Sequence, residues 1–262
     1  MYETLVIETR GPVATVWLNR PEVHNAFNAK VIEELTAAFT RLDADAQVRV
    51  VVLAGRGKSF SAGADLNWMK AAGAASFEEN LEDARRLARM LWQIAHMGKP
   101  TIARVHGAAL GGGMGLACAC DLCIASQRAV FATSEVRFGI IPSAISPYVI
   151  RAIGVRQAKR YFQSAERIDA TRAFALGLAH EVVEEEALDA KIDEVVQALL
   201  SGGPKAQAAA KELIDAVADR PLTPEVLEDT AQRIARLRAT EEAREGLSAF
   251  LEKRPAAWVP RP

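Results

Sequence analysis

The sequence predicts an α/β fold of repeated strand–strand–helix units followed by an all-helical C-terminal region. Three observations predict it. Short alternating or continuous apolar runs recur along the first part of the chain, and stretches with a 3.6-residue apolar period separate them. From about Ala187 onward only the helical period remains. The first two runs, Thr4–Glu8 and Val13–Leu18, alternate like half-buried strands. Ala29–Leu42 then puts Val31, Leu35, Ala38, Phe39 and Leu42 on one helical face. Val48–Leu53 reads as a buried strand, and Phe77–His96 as a helix with Leu81, Ala84, Leu87, Ala88, Leu91 and Ala95 inward. Thr101–Val105 and Leu122–Ala125 supply two more strands. The closing helices are expected at Ala187–Leu200, Pro204–Ala216 and Pro224–Glu252, punctuated by Pro221 and Pro224. A core over residues 1–190 and a helical assembly region over 191–262 are the expected division.

Composition narrows the function classes. The 262 residues carry 32 Lys+Arg against 33 Asp+Glu, a net charge of −1, which gives no footprint for nucleic acid or an anionic membrane. No apolar run approaches the roughly 20 residues that span a bilayer. The N-terminal MYETLVIETRGPVATVWLN alternates like strands and lacks the pattern of a signal peptide, so a cytoplasmic location is expected. Cys118, Cys120 and Cys123 have a metal-like spacing. On a helix, however, the first two point about 200° apart, so they read as small buried apolar residues and no metal site is expected.

The stretch GAALGGGMGLA, residues 107–117, holds five glycines in eleven positions directly after the strand TIARV. Gly112, Gly113 and Gly115 would cost about 2–3 kcal/mol together in a helix that starts near Gly113. Two readings account for that cost. A helix start lined by glycine exposes unpaired backbone N–H groups to an anion, or the glycines allow close helix–sheet packing. The spacing fits neither common nucleotide-phosphate loop. A second small-residue loop, GKSFSAGADL over residues 57–66, follows VVVLAG, with Asp65 placed as an N-cap.

The pair SFSAGADL and HGAALGGGMGLACACDLCIA, with NRPEVHNAFN upstream, resembles the crotonase, or enoyl-CoA hydratase/isomerase, superfamily. The likeness runs from Leu5 to the terminal AFLEKR. It implies a crotonase (ClpP/crotonase-like) spiral of ββα units. In that family two backbone amides form an oxyanion hole for an acyl-CoA thioester, and the matching donors here are the N–H groups of Ala64 and Gly112. Family hydratases use two glutamates. The second matches Glu135 in VFATSEVRFGIIP, whereas the first position is Gly115. Read without the family, Glu135 is a first-turn residue after an N-capping Ser134.

Several expectations follow from the resemblance. Glu135 becomes the acid/base, its pKa raised by burial alone because no neighbouring carboxylate remains. His106 is the nearest other titratable residue in sequence. The space beside Gly115 should hold substrate bulk or an ordered water, and a branched residue at Gly112 should obstruct the thioester. IIPSAISPYVIRAIG, AGADLNWMK and SEVRFG are similar to bacterial methylglutaconyl-CoA hydratases, which favours a branched substrate with a second carboxylate and Arg137 as its partner. The adenine of CoA is placed against Ala62, Ala64, Asp65 and Leu66, and Phe250 and Lys253 match positions that reach CoA from an adjacent subunit. The partner is an acyl-CoA, with no cofactor beyond the CoA of the substrate, and the assembly a homotrimer or homohexamer. An isomerase using Glu135 alone is the alternative. A noncatalytic CoA-binding or RNA-binding scaffold, since some relatives bind RNA, is disfavoured by the −1 charge and by the matching oxyanion-hole positions with Glu135.

Overall fold

The computed structural model describes residues 2–260. The elements run, in order, β1 (Leu5–Arg10), β2 (Val13–Leu18), α1 (Ala29–Ala44), β3 (Val50–Gly55), α2 (Leu66–Ala74) and α3 (Phe77–Ala95). There follow β4 (Thr101–Val105), β5 (Ala108–Leu110), α4 (Gly112–Ala119), β6 (Leu122–Ser126), β7 (Val130–Ala132) and α5 (Ser146–Ser164). Next come β8 (Ile168–Asp169), α6 (Ala170–Leu176) and β9 (Glu181–Val183), then α7 (Leu188–Ser201), α8 (Pro204–Val217), α9 (Pro224–Arg238) and α10 (Glu241–Leu251). Two compact units divide the chain. One joins the segment ending at Met97 to Thr101–Asp193, and the other joins Gly98–Pro100 to the chain from Glu194.

Two sheets organise the first unit. The larger has the order β1-β2-β3-β4-β6-β9, antiparallel only between β1 and β2. Its centre, VVVLAG of β3, is buried along its whole length, as a parallel strand covered on both faces must be. The smaller sheet has the order β5-β7-β8. Each of β4 and β6 feeds its successor into this second sheet, which is the strand–strand–helix repeat. After β3 a loop takes the place of the second strand. Ser61 donates its N–H to Ala108 O and accepts from the Leu110 N–H, pairing the loop beside β5.

Local chemistry sets the helix ends. Asn28 caps α1 by accepting from the Val31 N–H, and Val31, Ile32, Leu35, Ala38, Phe39 and Leu42 form its buried stripe. Ser76 and Glu79 form a capping box on α3. The expected single helix Pro224–Glu252 is two helices. Its break comes at Ala239–Thr240, where the Thr240 hydroxyl accepts from the Ala243 N–H and Glu241 and Glu242 favour a new N-terminus. A threonine cap in a continuous apolar period was the signal. The short strands β5, β7, β8 and β9 escaped the sequence reading, since two or three residues cannot display a period.

Candidate active site

Phe27 joins the two glycine-bearing loops. Its N–H donates to Gly63 O at 2.6 Å and its carbonyl accepts from the Asp65 N–H at 2.8 Å. Those bonds flank Ala64, so the N–H of Ala64 turns away from Phe27, and no acceptor among the described residues takes it. Gly63 has φ +92°, and a Cβ there would stand 2.8 Å from Leu110 O. The loop therefore lies directly on the end of β5, beside Gly111.

The ring of Phe27 serves the other loop. A Cβ on Gly112 would stand 2.4 Å from Phe27 Cε2, and one on Gly113 would stand 2.4 Å from Ser61 O. Close packing thus demands these glycines, while the N–H of Gly112, first residue of α4, is one of the unpaired donors of a helix start. The contacts bear out the packing reading of the glycine run, and the Gly112 N–H remains as the donor that the anion reading needs. One expectation is corrected: a branched side chain at Gly112 would strike the buried Phe27 ring, because that is where its Cβ points. The helix also begins one residue earlier than Gly113.

Glu135 opens a 3₁₀ turn, Glu135–Phe138, and Ser134 makes no side-chain cap there. Its carboxylate lies against the same helix start, since a Cβ on Gly111 would come within 3.1 Å of Glu135 Oε1. Its Oε2 is buried without a hydrogen-bond partner. Burial pushes the carboxyl above its ordinary value, with a smaller opposing effect from a backbone hydrogen bond. A partly buried acid with one free oxygen at a helix start is a group that can carry a proton.

Beside Gly115 the expectation is overturned. The space holds Ile145, whose Cγ2 would stand 2.2 Å and Cβ 2.8 Å from a Cβ on residue 115. A buried protein side chain fills the position expected for substrate or water. His106 is structural in its contacts. It is 8% exposed, with Nε2 2.8 Å from Gly57 O and Nδ1 3.4 Å from Arg104 Nη1. Arg137 donates to Ala165 O at 2.9 Å.

On the proposed CoA side, Ala64 and Leu66 are exposed, Leu66 by 82%, and Ala62 is half-buried. Asp65 caps α2 through the Asn67 N–H and pairs with Arg20 at 3.0 Å. Burial pushes its carboxyl up, but hydrogen bonds from Arg20, Asn67 and Trp68 together with the Arg20 charge outweigh this and hold it below its ordinary value. Its side chain therefore braces the loop. Phe250, 81% exposed on α10, and Lys253, with φ +55°, belong to the second compact unit.

Asn25 was missed by the sequence reading. Buried at φ +55°, it accepts from the Arg20 N–H and donates to Arg56 O and Ser59 O, each within 2.9 Å. Its own carbonyl accepts from the Ser61 hydroxyl. Lying inside NRPEVHNAFN, an asparagine next to an Arg-Pro turn was the available sign. Cys118 ends up on α4, Cys120 caps it, and Cys123 lies on β6. Burial pushes the Cys118 thiol up to about 12 and the Cys123 thiol well above its ordinary value. Among the described residues no group of three His, Cys, Asp or Glu could hold a metal ion, and no helix is long and apolar enough to cross a membrane.

A family model described as enoyl-CoA hydratase/isomerase matches residues 8–261. The chain belongs to that family. It is similar to a crotonyl-CoA hydratase of Syntrophomonas wolfei, 35% identical with 98% of each chain covered. A short-chain-enoyl-CoA hydratase of Clostridium acetobutylicum is 33% identical over 95% of each chain. Among solved structures, an enoyl-CoA hydratase from Shewanella pealeana is 43% identical, covers 98% of this chain and 96% of its own, and superposes with a TM-score of 0.95. The architecture of this family member is the crotonase fold.

Proposed function

We propose that this enzyme adds water to an α,β-unsaturated acyl-CoA, with Glu135 as its only carboxylate acid/base. The observation that carries the reading is the Glu135 carboxylate beside Gly111, with one oxygen buried and unpartnered. In the proposed step Glu135 accepts a proton from water as the water oxygen bonds to Cβ. The alkene electron pair moves through Cα to the thioester oxygen, and the enolate oxygen accepts from the N–H groups of Ala64 and Gly112. Glu135 then returns the proton to Cα, so water is added with no other reactant. One preorganised donor contributes about 3 kcal/mol to such a barrier.

The acyl group we propose is a branched, glutaconyl-type chain. Its support is the absence of a second glutamate at Gly115 and the IIPSAISPYVIRAIG segment that replaces a glycine-rich one. Ala62, Ala64, Asp65 and Leu66 would line the adenine end, with Phe250 and Lys253 reaching CoA from a neighbouring subunit of a trimer or hexamer assembled through the helices over 191–262. Gly115 also favours a second reading. One carboxylate suffices to carry a proton between Cα and Cγ, which is Δ3,Δ2-enoyl-CoA isomerisation. Assaying 3-methylglutaconyl-CoA, crotonyl-CoA and a 3-enoyl-CoA side by side decides between them. Fastest turnover is expected for hydration of the branched diacid; fastest turnover of the 3-enoyl-CoA would replace this reading by the isomerase.

A further inference from the structure

Gly111, the N-cap of α4, and Gly115 lie one turn apart, the Gly115 N–H donating to Gly111 O at 3.1 Å. What faces them differs in kind. A Cβ on Gly111 would meet the Glu135 carboxylate at 3.1 Å, and a Cβ on Gly115 would meet Ile145 at 2.2 Å. Ile145 is 2% exposed and immediately precedes α5, where its carbonyl accepts from the N–H groups of Tyr148 and Val149. The backbone is thereby fixed, and a β-branched side chain has little rotamer freedom with which to withdraw. A side chain on residue 115 and an isoleucine at 145 exclude one another.

We infer that Ile145 is a specificity-determining residue: it fills the position into which a side chain on residue 115 would project, and so keeps Glu135 the only carboxylate at this helix start. The inference rests on the proposed acid/base role of Glu135. Its consequence is a preference for substrates whose hydration runs on one proton carrier. Placing a glutamate at residue 115 is then insufficient by itself to create a two-carboxylate site, because Ile145 already fills that volume.

The steric part is read from a cycle of Gly115→Ala, Ile145→Ala and the double variant. Gly115→Ala alone should lower the Tm, and Ile145→Ala should relieve that loss, leaving the double variant more stable than the two shifts added together predict. Additive shifts would overturn the pairing. The chemical part uses Gly115→Glu with Ile145→Ala. A second ionisation should enter the pH profile of kcat, and the ratio of crotonyl-CoA to 3-methylglutaconyl-CoA turnover should rise about tenfold or more. A folded double variant with the parent's pH profile and substrate ratio would refute the specificity role. Should that variant fail to fold, Ile145→Ala alone decides, since opening the volume must change the substrate ratio if Ile145 sets it. Glu135→Gln separates the two levels of the claim. Retained turnover there sinks the acid/base reading itself, while lost turnover with an additive cycle sinks only the role of Ile145.

Discussion

Ala64 and Gly112 offer backbone N–H groups from loops that are held in opposite ways. The Ala64 loop is held by polar contacts: the main chain of Phe27 on Gly63 and Asp65, the Asn25 amide on Ser59, and Arg20 on Asp65. The Gly112 helix start, tied by one hydrogen bond from the Gly111 N–H to Ala132 O, is otherwise held by shape, with the Phe27 ring, Ser61 O and Ile145 standing where Cβ atoms would be. Hydrogen bonds have direction and can aim a donor. Close packing has none, and succeeds here because glycine removes the atom that would keep the surfaces apart. Phe27 contributes to both, by backbone to one loop and by ring to the other.

Substitutions should separate the two modes of support. Phe27→Ala has the largest expected effect, about 3–5 kcal/mol of stability, since it empties a fully buried ring site. The main-chain bridge to Gly63 and Asp65 does not depend on the ring, so the Gly112 side should loosen first. Denaturant midpoints and hydrogen exchange of the two loops measure this. Asn25→Ala should loosen the opposite loop. Orphaning a buried backbone group costs about 1–3 kcal/mol, and alanine at φ +55° costs about 1–2 kcal/mol more. Asn25→Gly tolerates that φ, so the gap between the two variants isolates the conformational part. Gly112→Ala should cost about 1–3 kcal/mol by overpacking against Phe27. The smallest effect has the opposite sign. Because burial raises the folded value of Glu135, its ionisation costs stability as pH rises through that value. Glu135→Gln should therefore unfold at a higher temperature than the parent at neutral pH, with the advantage vanishing below the ordinary 4.5. The same shift should place the acid limb of turnover above 4.5, where the base form of Glu135 is lost.

Much of the fold was legible because long elements repeat their period. The α1 stripe and the strands Val13–Leu18 and Thr101–Val105 need only local pattern to be found. The second sheet needed tertiary information, since β5, β7 and β8 are too short to show a period and exist by pairing across the chain. At the site, Glu135, Ala64 and Gly112 were reached through motif likeness; the structure joins the Ala64 and Gly112 segments at Phe27 and sets the Glu135 carboxylate against Gly111. Ile145 was invisible as a site residue because an isoleucine in a loop announces no chemistry. Only its close approach to a Cβ on Gly115 singles it out. Asn25 was hidden for a related reason, as its value lies in a left-handed backbone and two partners distant in sequence, Arg56 and Ser59.

The proposed chemistry turns on one carboxylate, Glu135, at the helix start that carries the Gly112 N–H. Steady-state turnover of Glu135→Gln, measured alongside acyl-CoA affinity, tests it most directly. The amide preserves shape but cannot carry the proton, so kcat should fall by about 10²–10⁴-fold while acyl-CoA still binds. Turnover near that of the parent would contradict the account, because the proton would then be moved by a group other than Glu135.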